Sequence, residues 1–254
     1  MNLLQGGLVL GSGLLAGIIN AVAGGGSFFT FPALVFAGVP PVSANATSTT
    51  ALWPGNMASF GAYRRELGAH RRLSIVLFIV SLFGGVTGAW ILLHTRPRTF
   101  DELLPWLTIF ATLLFTYGGR LAARLRIDLG RENDPAVLAR TGVIQFFIAI
   151  YGGYYGAGAG IMMLAVLALL GMKNIHAMNA FKTLLSVAFN GAAVVLFIVQ
   201  RKVLWPEAWL MMAGAVVGGY GGGWLAQRLP PTWVRRFVIV AGMVTTVYFF
   251  WRLR

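Results

Sequence analysis

Continuous apolar runs recur along this chain, and they restrict what it can fold into more than anything else in the sequence. One of them, "LSIVLFIVSLFGGVTGAWILL", occupies Leu73–Leu93. About 20 such residues, wound as a helix, cross the roughly 30 Å of hydrocarbon in a bilayer. The runs do not alternate apolar with polar, so they read as helices rather than half-buried strands. In lipid, backbone groups must find their partners within the protein, which a helix does by itself. Composition agrees: 57% of residues are hydrophobic and 11% charged, against about 25% charged in soluble domains. The expected fold is an all-α polytopic membrane protein.

Net charge is +13, yet a nucleic-acid partner is not expected. The basic residues are scattered through short loops such as "YRRELGAHRRL" and through Arg124–Arg140. Lysines and arginines at cytoplasmic helix ends account for that pattern. With no cysteine in the sequence, disulfides and thiolate metal sites are excluded. "AVA" at Ala21–Ala23 resembles a signal-peptide cleavage site, but Met1–Gln5 has no lysine or arginine, which a signal peptide should carry.

The chain reads as a duplication. Asn45 and Asn179 stand 134 positions apart, and at that same offset Gly24/Gly158, Gly26/Gly160, Thr49/Thr183, Asn56/Asn190, Trp90/Trp224 and Pro97/Pro231 are identical. Chance matches among apolar residues would not keep Asn, Trp and Pro in one register. We expect a membrane repeat over residues 1–123, a polar cytoplasmic linker over 124–140 and a second membrane repeat over 141–254.

Each repeat contains four apolar segments. The expected pairs are Leu3–Gly38 with Gly142–Gly171, Asn45–Tyr63 with Ala177–Val199, Leu73–Leu93 with Leu204–Ala226, and Leu103–Leu121 with Val234–Trp251. The first segment of repeat one has about 35 residues, which would make a helix of about 50 Å at 1.5 Å per residue, too long for one span and too short for two. Both first segments are interrupted by glycines, "AGGGS" and "GAGAG". We read each as two helices meeting at a glycine-rich tip. Paired interruptions at matching places in two halves point to a transporter's binding site. We read the repeats as inverted rather than parallel, because opposed tips would make one site at the membrane midplane.

Lys182 lies within "NAFKTLLS", about seven residues into its helix. One account is snorkelling, in which the stem carries the ammonium back to the interface. The other is a lysine facing the interior to hold an anion, since ionisable groups inside membranes are rare and usually functional. Asn179, Thr183, Ser186 and Asn190 surround it at helical spacing, and amide and hydroxyl donors beside a cation suit an oxyanion. In the first repeat the position of Lys182 is Ser48, so Asn45, Thr47, Ser48, Thr49 and Asn56 would supply neutral donors. All seven acids, Glu66, Asp101, Glu102, Asp128, Glu132, Asp134 and Glu207, fall in loops or at helix ends. No carboxylate is placed for a cation, which favours anion handling. Lys182 and Ser186 could form a Ser–Lys dyad of an intramembrane enzyme, but no other helix offers a base or metal cluster. We expect no enzyme and no cofactor. An anion channel is a further alternative.

The stretch "GLLAGIINAVAGGGSFFTFPALVFAGVPPVSANATSTTAL" and its partner "YGGYYGAGAGIMMLAVLALLGMKNIHAMNAFKTLLSVAFNG" resemble the TauE/SafE sulfite exporter family, within the toluene-sulfonate uptake permeases. The resemblance implies a multi-pass secondary transporter of the bacterial cell (inner) membrane that moves small sulfur-containing anions such as sulfite or organosulfonates, often outward. Carried onto this sequence, the candidate substrate-binding residues are Gly24, Gly25, Gly26, Ser27, Asn45, Thr47, Ser48, Gly158, Gly160, Asn179, Lys182 and Thr183. The expected partners are the anion and the lipid bilayer, with a homo-oligomer left open.

Overall fold

Apolar sequence without strand signals gives helices throughout. The computed structural model describes residues 3–22, 25–124, 134–172, 174–226 and 231–253. Among these are ten α-helices and no strand: α1 (Leu3–Val22), α2 (Ser27–Phe36), α3 (Pro41–Tyr63), α4 (Arg71–His94), α5 (Pro97–Arg124), α6 (Pro135–Tyr154), α7 (Ala159–Leu169), α8 (Ile175–Val199), α9 (Trp205–Ala226) and α10 (Pro231–Arg252). A 3-10 segment, Arg64–His70, joins α3 to α4. Among the described residues, four helices are long and apolar enough to cross a membrane, in α1, α4, α6 and α8. With the chain's composition, they make this a multi-pass membrane protein.

Several helices begin earlier than the apolar pattern alone suggests, because polar caps and prolines start them. Pro41 opens α3 four residues before Asn45, since proline fits the first turn, where the N–H would be unpaired anyway. α6 begins at Pro135, inside the stretch read as linker, where the Asp134 carboxylate accepts from the Ala136 N–H at 2.9 Å. α3, α4 and α5 start at 41, 71 and 97, and α8, α9 and α10 at 175, 205 and 231. Each pair of starts is 134 residues apart, the offset found in the sequence.

The first apolar segment folds back on itself. Gln5, near the start of α1, donates from Nε2 to the Ala37 carbonyl just after α2, at 3.1 Å. At the other end the Gly26 N–H donates to Asn20 Oδ1 at 2.8 Å. α1 and α2 are therefore an antiparallel hairpin whose chain returns to the side it left.

Two seams hold the bundle, and both are built on glycine. α1 packs against α9, and α4 against α6. A Cβ at Gly13 would strike the Met211 carbonyl, one at Gly17 the Ala215 carbonyl, and one at Gly218 the Leu14 carbonyl. Along the other seam, Gly84 faces the Phe146 carbonyl and Gly88 the Ile150 carbonyl. The contacts advance together along both chains, so each seam joins two helices running the same way. Small residues allow membrane helices this approach. α5 and α10 pair in the opposite sense: Trp106 meets Phe250, with ring centroids 5.5 Å apart, and Thr112 meets Gly242. They run antiparallel.

The buried core lies in two clusters. Phe31, Leu34, Phe100 and Phe249 belong to one, and Leu77, Met163, Phe181 and Phe189 to the other. Exposed apolar side chains such as Phe83, Trp90, Phe147 and Trp209 cover the outside, as a lipid-facing surface requires.

The seam predicts a sharp contrast between glycines. Gly88→Leu should lower the melting point in detergent, read from tryptophan fluorescence, by the equivalent of about 1–3 kcal/mol of overpacking. Gly7→Leu should leave it unchanged, because a Cβ there meets nothing within 4 Å.

Candidate functional site

A cavity of about 630 Å³ opens between the two halves of the bundle. α3 contributes Thr49, Leu52, Asn56 and Ser59, spaced to fall on one helical stripe. α8 contributes Lys182, Thr183, Ser186, Phe189 and Asn190. Thr49/Thr183, Leu52/Ser186 and Asn56/Asn190 are 134-residue pairs, so both halves line the cavity with matching positions. The glycine-rich tips close it from two sides through Gly25 and Ser27 in one half and Gly156, Gly158 and Gly160 in the other.

The tips take a shape that side chains resist. Gly25 has φ 101° and Gly158 φ 81°, in the left-handed region that glycine adopts without a Cβ penalty. Gly158 sits at the N-cap of α7 with no side-chain cap. The first N–H groups of a helix lack intrahelical acceptors and carry partial positive charge.

Among the described residues, Lys182 is the one ionisable residue lining the cavity. Among the described residues its ammonium has neither a hydrogen-bond partner nor a carboxylate. Its stem passes over Gly160, where a Cβ would lie 3.3 Å from Lys182 Cδ and 3.5 Å from Cγ. Any larger residue at 160 competes with the lysine for that space. Pro54, also on the wall, has no N–H to offer the Thr50 carbonyl one turn back.

Sequence-predicted residues divide into two groups. Gly25, Ser27, Gly158, Gly160, Lys182 and Thr183 are brought together around the cavity. Gly24 lies outside the described residues. Gly26, Asn45, Thr47, Ser48 and Asn179 do not line it. Gly26 is held by Asn20, and Asn45 Nδ2 donates to the Tyr154 carbonyl at 3.1 Å, fixing the second tip. Thr47 Oγ1 accepts from the Leu204 N–H at 3.0 Å. Ser48 and Thr30 share a buried hydroxyl–hydroxyl bond of 2.6 Å. The Asn179 carbonyl accepts from Thr183 Oγ1 at 3.0 Å.

Asn20 and Ser59 line the cavity and were not among the sequence candidates. Ser59 continues the stripe Thr49, Leu52, Asn56 and could have been found by extending it. Asn20 has no such signal, because its place depends on the hairpin bringing α1 beside the tip. Trp53 joins the halves, donating from Nε1 to the Val187 carbonyl at 3.1 Å.

A sequence model of the sulfite exporter TauE/SafE family matches residues 9–249. The chain is 27% identical over 235 residues to a probable membrane transporter protein of Haemophilus influenzae, covering 92% of this chain and 90% of that one. It is 29% identical over 235 residues to the probable membrane transporter protein YfcA of Escherichia coli K12, covering 91% and 84%. To the probable membrane transporter protein ORF9 of a Sinorhizobium species it is 25% identical over 234 residues, covering 92% and 87%. No solved structure matches the chain.

The absence of native cysteines makes the cavity's lining directly testable. Single cysteines at Ser186 and Asn56 should react with a small water-soluble thiol reagent about tenfold faster than one at Ser48, since thiol reactivity follows access. Equal rates at all three positions would contradict the assignment.

Proposed function

This chain belongs to the sulfite exporter TauE/SafE family, and from that premise we propose that it is a secondary transporter of small sulfur-containing anions, such as sulfite or organosulfonates. It is a membrane transporter by family and by fold. The anion reading rests above all on one observation: among the described residues, the sole charged side chain lining the central cavity is a lysine, and no carboxylate accompanies it. An anion entering the cavity would meet the Lys182 ammonium on one side. Amide and hydroxyl donors from Asn20, Asn56, Ser186 and Asn190 would meet its oxygens from others. A charge-assisted bond to an oxyanion is about twice as strong as a neutral one. The Gly160 backbone N–H in the first turn of α7 would add to it, as helix N-termini do for anions.

Alternating access is the mechanism this arrangement favours. α5 and α10 occupy equivalent places in the two halves yet run antiparallel, and the α1–α2 hairpin returns its chain to one side. Both features support halves of opposite orientation, and rocking one against the other would open the cavity to each face in turn. The bacterial inner membrane is the location proposed for it, with export as the expected direction. Asn45, Thr47 and Ser48 enter this proposal as residues that tie helices and tips in place rather than as ligands, and Asn179 lies off the cavity.

Purified protein in liposomes should take up a labelled alkanesulfonate or sulfite. Lys182→Met should weaken binding about 10- to 100-fold, the loss expected for one charge-assisted bond, with Lys182→Arg retaining part of it. Undiminished transport by Lys182→Met would assign the lysine to snorkelling. Equal transport of an organic cation would overturn the anion reading.

A further inference from the structure

We propose that Asn179 is a positioning residue for transport: it latches the first glycine tip in the conformation facing the other side, as Asn45 latches the second tip here. The latch rests on the alternating-access reading above. Two halves of opposite orientation change sides by exchanging roles. A contact between halves whose 134-residue counterpart is also made belongs to both conformations, and one made singly belongs to one of them. The main joints between the halves are made in both forms. α1 on α9 and α6 on α4 are the same pairing of repeat positions. Thr47 Oγ1 accepts from the Leu204 N–H at 3.0 Å, and the counterparts Phe181 and His70 meet with ring centroids 5.9 Å apart. Trp53 and Val187, joined by a hydrogen bond, are counterparts of each other.

The Asn45 bond is made once. Its Nδ2 donates to the Tyr154 carbonyl at 3.1 Å, where α6 ends. The counterparts are Asn179 and Asn20. Asn179 carries the same amide, and the acceptor is a backbone carbonyl, so the change from Tyr154 to Asn20 does not remove it. Asn20 lies in the last turn of α1, where carbonyls lack an intrahelical donor. Yet the half-buried Asn179 side chain has no hydrogen-bond partner among the described residues. Polar groups drawn out of water normally find one, and the Asn20 carbonyl would supply it in the other conformation. The second tip also has a fastening that the first cannot copy. Tyr155 and Thr108 share a hydroxyl bond of 2.8 Å, whereas their counterparts, Ala21 and Gly242, carry no hydroxyl. At these positions Asn179 is the side chain able to latch the first tip.

Sidedness of access tests this without any substrate. Ser186→Cys places a single thiol on the cavity wall of a cysteine-free protein. Its reaction rate with a membrane-impermeant thiol reagent is measured in right-side-out and in inverted vesicles, and the ratio of the two rates reads the balance of conformations. Asn45→Leu should shift that ratio toward the side closed here by about threefold to tenfold, the effect of removing one hydrogen bond. Asn179→Leu should shift it about as far the other way, and the double variant should return it near the wild-type ratio. A merely structural role would move both single variants alike or neither. Either result would overturn the latch and leave alternating access standing. A thiol that reacts from one side only in every background would overturn alternating access, and the latch with it. Should the leucine variants not fold, Asn45→Ser and Asn179→Ser, whose side chains are too short to reach the carbonyls, carry the same expectation.

Discussion

Backbone carbonyls of one helix rest against glycine Cα atoms of another along two seams, α1 with α9 and α4 with α6. The rest of the structure depends on those contacts. Inside a bilayer there is no hydrophobic force to press helices together, so association relies on close packing and on bonds between helices. Each seam joins a helix from one half of the chain to a helix from the other. The halves are thereby interlocked, and what is left between them is the space bounded by α3 and α8. The same glycines that draw the seams tight leave polar faces of α3 and α8 opposed across a cavity.

Polar residues in the membrane have two uses here, tethering helices and lining the cavity. At the start of α3, Asn45 holds the Tyr154 carbonyl, Thr47 the Leu204 N–H and Ser48 the Thr30 hydroxyl. These groups are buried and satisfied, as burial demands. On the same helix, Thr49, Asn56 and Ser59 face open space. On α8, Asn179 lies off the cavity, while Lys182, Ser186 and Asn190 line it. Asn45 holds the second tip beside the residues that line the cavity.

Much of the fold was legible in the sequence. Apolar continuity gave a helical membrane protein, and the glycine clusters marked the places where the first segments break. Lys182 stood out because charge is so rare in its surroundings, and the structure puts it on the cavity wall. Asn45, Thr47 and Ser48 were expected as neutral donors because they are the first-half counterparts of the stretch around Lys182, and the structure instead bonds them to Tyr154, Leu204 and Thr30. A sequence shows that a hydroxyl lies on a helix but not that another hydroxyl, distant in the chain, waits 2.6 Å away. Asn20 was missed for the complementary reason: it reaches the cavity only because α1 and α2 form a hairpin. Helix starts at Pro41 and Pro135 came earlier than the apolar periodicity implied, since proline and an aspartate cap begin a helix without apolar residues.

Under the proposed function the substrate anion sits between α3 and α8 against the Lys182 ammonium. The most direct measurement is an experimental structure with selenite or a halogenated alkanesulfonate bound, its heavy atom located by anomalous scattering. One peak is expected inside the cavity, with the anion's oxygens within hydrogen-bond distance of Lys182 Nζ. A peak elsewhere, with Lys182 directed toward the membrane surface, would contradict it.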